Sequence, residues 1–150
     1  MKTSAVRYEA LLQLLRAADT LWNASRTFFA QWGLSPSQFN VLSLLQSHPG
    51  GISQTELSRQ LIMHRSNATG LVDRLERRGL VKRLNLAGDR RAYRVVLTSS
   101  GDKLLRDMLP GYHAKADRVW GKLSGRRVAA LLGDLKQVAT NAESLAAGLK

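Results

Sequence analysis

Residues 66–98 read SNATGLVDRLERRGLVKRLNLAGDRRAYRVVLT, and the hydrophobic period changes once along them. Ala68, Leu71, Val72, Leu75 and Leu80 recur at helical spacing, while Ser66, Asn67, Thr69, Gly70, Asp73, Arg74, Arg77 and Arg78 fall outside that stripe. After Gly79 the pattern alternates through "LVKRLN", "LAGDRR" and "AYRVVLT". Alternation on both sides of a glycine turn predicts a two-stranded hairpin with Gly88 at its tip.

Working outward, "SQTE" at positions 53–56 places a capping serine three residues before a glutamate, which opens a short helix ending near Leu61 with Leu57 and Leu61 inward. Two helices joined by the turn "IMHR", the second polar at its front, fit a helix-turn-helix, and a hairpin directly after such a pair is a wing. A solvated helix face is the plainer explanation of the polar positions. Charge favours the first: between Leu61 and Arg94 nine Arg or Lys stand against three Asp or Glu, a net +6 of the whole chain's +12. Arg77, Arg78, Lys82 and Arg83 are expected phosphate contacts.

The hairpin tip crowds Arg90 and Arg91 beside Asp89. An antiparallel ribbon projecting from a helix-turn-helix can lay such a tip into the narrow minor groove, whose negative potential favours arginine. Asp89 can orient the Arg91 guanidinium there; an ordinary surface ion pair would look the same in sequence.

The flanks are helical. Tyr8, Leu11, Leu12, Leu15, Leu21, Trp22, Phe28, Phe29 and Trp32 predict one long helix ended by Gly33, and "SPSQ" at 35–38 is a second capping box with proline at the first helical position. Beyond Thr98 a stripe runs from Leu104 to Leu123 with Pro110 inside it, where a kink is expected, and a last helix carries Val128, Leu131, Leu132, Leu135, Val138 and Leu145. These stripes exceed what a small winged helix can cover, so packing between two chains is the simplest solution, with a helical core inside one chain as the alternative.

A chain of 150 residues with 44% hydrophobic content can bury one real core, and its pI near 11.1 points to a polyanionic partner. There is no cysteine, which removes thiolate metal sites, disulfides and thiol redox sensing. His48, His64 and His113 are far apart; only His113 and Asp117 share helical spacing, too few for a metal. No phosphate-binding glycine loop, nucleophile elbow or dinucleotide fingerprint occurs, so neither an enzyme nor a cofactor is expected. Charged residues interrupt the apolar positions near the start, and no run reaches the roughly 20 residues of a membrane span. A cytoplasmic protein without membrane contact is expected.

"QTELSRQL", "SNATGLVDRLERRGLVKR" and "GDRRAYRVVLTSSG" resemble the MarR family of winged-helix regulators, most specifically in Asp89-x-Arg91 followed by Leu97-Thr98 and Gly101. The resemblance implies a mainly α fold with a small β wing. In it a winged helix-turn-helix at 34–101 is flanked by helical dimerisation regions at 1–33 and 102–150, all in one regulator chain. It also implies a homodimer that binds a pseudo-palindromic operator in double-stranded DNA, usually represses transcription, and lets go when a small anionic or aromatic ligand, or an oxidant, acts. Ser66, Asn67, Thr69 and Arg74 then match DNA-facing positions of the recognition helix, and Arg77 is expected to bind DNA beside them. Arg90 joins them from the wing, and Asp89 with Arg91 matches the wing's ion pair and minor-groove arginine. His64 and Gly70 depart from the family's usual residues. Trp22 and His64 are the candidates for an aromatic-lined effector crevice. A non-specific architectural DNA-binding protein would use the same basic surface without an operator.

Overall fold

The computed structural model describes residues 3–62, 65–86 and 89–148, with side chains at all of these except positions 3, 65, 86 and 89–92. Gly88 and His64, expected at the hairpin tip and in an effector crevice, lie outside the described residues, as do the side chains of Asp89, Arg90 and Arg91. Two compact units divide the chain at Leu109/Pro110.

The first unit begins with helix α1 (Thr3–Ala30), which ends where Gly33 takes a left-handed φ of 65° and Leu34 N–H turns back to Phe29 O at 3.0 Å. Helix α2 (Pro36–Gln46) starts on the expected capping box in full: Ser35 Oγ accepts from Gln38 N–H at 3.2 Å, and Gln38 Oε1 accepts from Ser35 N–H at 2.8 Å. Strand β1 (Ile52–Ser53) leads into α3 (Gln54–Gln60). There Ser53 Oγ caps Glu56 N–H at 3.2 Å, but the reciprocal half of the expected box is not made, because Gln60 and Arg59 engage the Glu56 carboxylate. A 3-10 turn (Arg65–Asn67) precedes α4 (Ala68–Arg77), so the helix starts two residues later than its polar front suggested.

Strands β2 (Val81–Leu86) and β3 (Asp89–Leu97) form the predicted hairpin, in register from Val81 opposite Leu97 to Asn85 opposite Tyr93, with a shift between Asn85 and Leu86. The sheet has a third member: β1 pairs antiparallel with β3, Ile52 opposite Val95, giving the order β1-β3-β2. Two residues are too few to show alternation, which is why that strand was invisible beforehand. Helix α5 (Ser99–Trp120) contains Pro110, where a kink is expected. Since proline has no N–H, the carbonyl of Arg106 loses its ordinary helical donor there.

The core of this unit is apolar and tight. Val41, Leu42, Leu57, Leu61, Val72, Leu75, Val95, Leu105 and Met108 have no exposed surface, and Phe29 stacks on Phe39 at 4.4 Å between centroids. Leu71, Val72 and Leu75 bury one face of α4, which leaves Thr69, Arg74 and Arg77 exposed. The Leu97-Thr98 and Gly101 pattern has a local cause: Thr98 Oγ1 donates to Gly79 O at 2.7 Å and accepts from Gly101 N–H at 3.1 Å, capping α5. At Gly101 a side chain would meet Leu80 O at 2.1 Å.

The second unit holds the end of α5 and all of α6 (Gly125–Gly148), a helix with no buried residue. Leu131, Leu132, Val138 and Leu145 on α6, like Tyr8, Leu11, Leu15 and Leu21 on α1, are exposed. No helix among the described residues is long and apolar enough to cross a membrane.

Candidate nucleic-acid interface

Helix α4 presents its polar face outward from an otherwise buried helix. Ser66 and Asn67 in the preceding turn, Thr69 on the first turn of α4, and Arg74 and Arg77 further along are all exposed. The chain entering α4 is fixed from behind, where Asn40 Oδ1 accepts from Ile62 N–H at 2.9 Å. Gly70, a departure from the family's usual residue, has a local reason. A Cβ there would fall 2.6 Å from Asn67 Oδ1, so the missing side chain is the space the Asn67 carboxamide occupies.

Two of the expected phosphate contacts are spoken for inside the fold. Arg83 on β2 turns back onto α4: its Nη2 reaches Asp73 Oδ1 at 2.5 Å, its Nη1 donates to Glu76 Oε2, and its own N–H donates to Glu76 Oε1 at 3.0 Å. Its guanidinium also lies 5.3 Å from the Tyr93 ring centroid. Partial burial alone would lower the pKa of this group; hydrogen bonding to Asp73, Tyr93 and Glu76 outweighs that and holds it above the usual arginine value. Arg83 is therefore a clasp between wing and recognition helix rather than a free cation. Arg78 likewise donates to Gly33 O at 2.5 Å and Trp32 O at 3.3 Å, satisfying carbonyls at the end of α1. Arg74, Arg77 and Lys82 remain exposed, and Arg77 Nε makes a long 3.4 Å bond to Asp73 O.

A second link joins three elements behind the exposed face of α4. Tyr93 Oη on β3 donates to Gln54 Oε1, and Gln54 Nε2 donates to Thr69 Oγ1. Neither Gln54 nor Tyr93 stood out in the sequence, because their partners are 15 and 39 residues away. The Asp73, Glu76 and Arg83 set left a fainter trace: two carboxylates three residues apart on one helix, with an arginine on the strand that follows.

Trp22 lines a cleft of about 390 Å³ between the end of α1 and the start of α2, together with Arg26, Ala30, Leu34, Ser35, Pro36 and Ser37. Arg26 was not anticipated, although it stands one helical turn from Trp22. Indole and guanidinium at one mouth suit a flat, anionic molecule. Among the described residues no three His, Asp or Glu side chains gather as a metal site.

Comparison with known proteins places the fold in a family. The model of the MarR family matches residues 32–92, from just after α1 into β3. The transcriptional repressor MprA of Escherichia coli is 36% identical over 105 residues, covering 69% of this chain and 59% of MprA, so the match spans little more than half of that relative's length. The HTH-type transcriptional repressor YetL of Bacillus subtilis is 31% identical over 131 residues, covering 85% of this chain and 78% of YetL. Among solved structures, CouR from Rhodococcus jostii RHA1 bound to p-coumaroyl-CoA superposes with a TM-score of 0.74 at 27% identity, over 85% of this chain and 89% of that one. With a repressor 31% identical to it over more than three quarters of that repressor's length, this chain belongs to the MarR family of winged-helix transcriptional regulators.

Proposed function

We propose that the protein is a homodimeric, sequence-specific DNA-binding repressor, without catalysis of its own, that works in the cytoplasm and is released by a small aromatic or anionic ligand. One observation carries the reading: α4 keeps one face in the core while Thr69, Arg74 and Arg77 on the other, with Ser66 and Asn67 in the turn before it, are exposed. A helix held so firmly from behind can enter a major groove with its front residues at base edges. The wing adds Arg90 and Arg91, with Asp89 to orient Arg91 in the minor groove. In this reading residues 34–101 bind DNA, and 1–33 and 102–150 pair two chains through the exposed leucines of α1 and α6.

Two-fold pairing sets the target. Recognition helices roughly 34 Å apart reach successive major-groove faces, so the bound site is an inverted repeat of roughly 16 to 22 base pairs. Selection from a random DNA pool tests this directly. Enrichment of such a palindrome supports a regulator, whereas even recovery of all sequences makes the protein an architectural binder. Arg91→Ala should then cost most of the affinity for the selected site with circular dichroism unchanged. Sedimentation of the free protein should show a dimer, and Leu132→Glu should shift it towards monomer.

The Trp22 and Arg26 cleft supports the effector half of the reading, as does the aromatic thioester bound by CouR. With no cysteine present, release by thiol oxidation is chemically unavailable. A ligand releases DNA only by binding the DNA-incompetent arrangement more tightly. Gel shifts with a panel of aromatic carboxylates and their thioesters, read beside Trp fluorescence, check it; Arg26→Ala should weaken the response to anionic members.

A further inference from the structure

We propose that Gly70 is a specificity-determining residue: the side chain it lacks leaves the slot from which the Asn67 carboxamide reads one adenine in each half-site. This rests on the DNA-reading role proposed above.

Asn67 stands where a helix cap belongs but does not cap. Ser35 and Ser53, which do, lie in extended backbone with ψ of 162° and 155°, and each hydroxyl accepts from the amide three residues on. The chain reaches α4 through a 3-10 turn instead, so Asn67 has ψ 15° and its side chain makes no capping bond. Extended backbone is what aims a capping side chain at those amides, and Asn67 lacks it. Its carboxamide is therefore left with donor and acceptor both available, and it has no hydrogen-bond partner among the described residues.

Gly70 decides where that carboxamide lies. A Cβ at position 70 would fall 2.6 Å from Asn67 Oδ1, and Arg74 Nη1 bounds the same spot at 3.6 Å from the next turn. The backbone does not call for glycine here, because Gly70 is on the first turn of α4 and lacks the left-handed φ of Gly33 or Gly79. Glycine in a helix costs stability relative to alanine, so what it supplies at this position is room. Asn67 and Arg74 on either side are exposed, which opens the slot to the solvent face of α4.

A carboxamide pairs with adenine through two bonds at once, donating to N7 and accepting from the N6 amino group. Such pairing holds only while the group stays within about 0.5 Å of its place. A methyl group at position 70 must push Asn67 Oδ1 from 2.6 Å out to an ordinary contact of at least 3.4 Å, which exceeds that tolerance. Alanine at 70 therefore costs the adenine contact with the Asn67 side chain still present.

The test is selection from a random DNA pool with the wild-type protein, Asn67→Ala, Gly70→Ala and the double variant, reading base preference position by position. Wild type should enrich adenine at one symmetric pair of positions by at least about fivefold over the other bases. Asn67→Ala should remove that preference and leave the remaining positions as they were. Gly70→Ala should do the same, and adding it to Asn67→Ala should change nothing further at that pair. Stability separates this role from a structural one. Alanine is the better helix former and meets only the end of a flexible side chain, so the melting temperature of Gly70→Ala should equal or exceed that of wild type. Adenine preference retained in Gly70→Ala, a further loss at that pair in the double variant, loss of a base other than adenine in Asn67→Ala, or a fall in melting temperature would each overturn the proposal. A palindrome that Asn67→Ala leaves unaltered overturns it too, while the regulatory reading stands. A wild-type pool with no enriched sequence removes that reading itself, a failure visible before any variant is compared.

Discussion

Arg83→Met measures the clasp between wing and recognition helix. The substitution keeps the unbranched stem and the backbone N–H bond to Glu76 but removes the guanidinium from Asp73, Glu76 and the face of Tyr93. The Arg83 side chain is only 22% exposed, while those of Asp73 and Glu76 are 48% and 36% exposed. The pairs thus fall between exposed ion pairs, at about 0–1 kcal/mol, and hydrogen bonds to charged groups, at about 1.5–3 kcal/mol. At about 1 kcal/mol for each carboxylate and about 0.5 kcal/mol for the ring contact, the loss comes to about 2–3 kcal/mol. In a chain of this size each kcal/mol moves the melting temperature by roughly 2–4 °C, so thermal unfolding followed by circular dichroism should drop by roughly 5–10 °C. A double-mutant cycle with Glu76→Gln should return a coupling of about 1 kcal/mol. An unchanged melting temperature, or strictly additive effects of the two substitutions, would refute the clasp.

Gly101→Ala drives a Cβ to 2.1 Å from Leu80 O and 2.8 Å from Leu97 Cδ1, so despite the better helix former the variant should lose about 3 kcal/mol of stability. A denaturant midpoint equal to wild type would contradict that close approach. Arg77→Ala should flatten the dependence of log affinity on log salt by about one unit, whereas Arg78→Ala, whose guanidinium serves α1, should lower thermal stability and leave that slope alone. Interchanged results would mean the two arginines have been assigned to the wrong partners. Burial raises the Tyr112 phenol above its ordinary 10.0, so the folded state favours the neutral ring. That contribution is complete below the ordinary value and is lost as pH rises past it through the folded pKa; Tyr112→Phe should therefore resist alkaline unfolding better than wild type, as read from denaturant midpoints at neutral and alkaline pH.

What could be read from the sequence was local. The Ser35 capping box, the buried stripe of α4 and the hairpin after Gly79 each depend on residues within a turn or two, and all three are present as expected. The use of individual arginines was not legible, since nothing in composition separates Arg78, which reaches 45 residues back to Gly33, from Arg77 beside it. Strand register decides that Arg83 points at α4, and a strand's facing cannot be derived until its partners are known. Gln54 and Tyr93 escaped notice for the same reason: each is unremarkable until β1 and β3 pair and bring them to Thr69.

The division of labour on α4 bears on how such a protein can diversify. Leu71, Val72 and Leu75 carry stability, where truncation costs about 2–5 kcal/mol, while exposed positions such as Ser66, Arg74 and Arg77 change at typically less than about 0.5 kcal/mol. A duplicated copy can therefore drift to a new target through its outward residues without first gaining stability elsewhere. Thr69 is the exception on that face. Its hydroxyl is bonded to Gln54, which is bonded in turn to Tyr93, so a change at Thr69 also takes one partner from the Gln54 carboxamide.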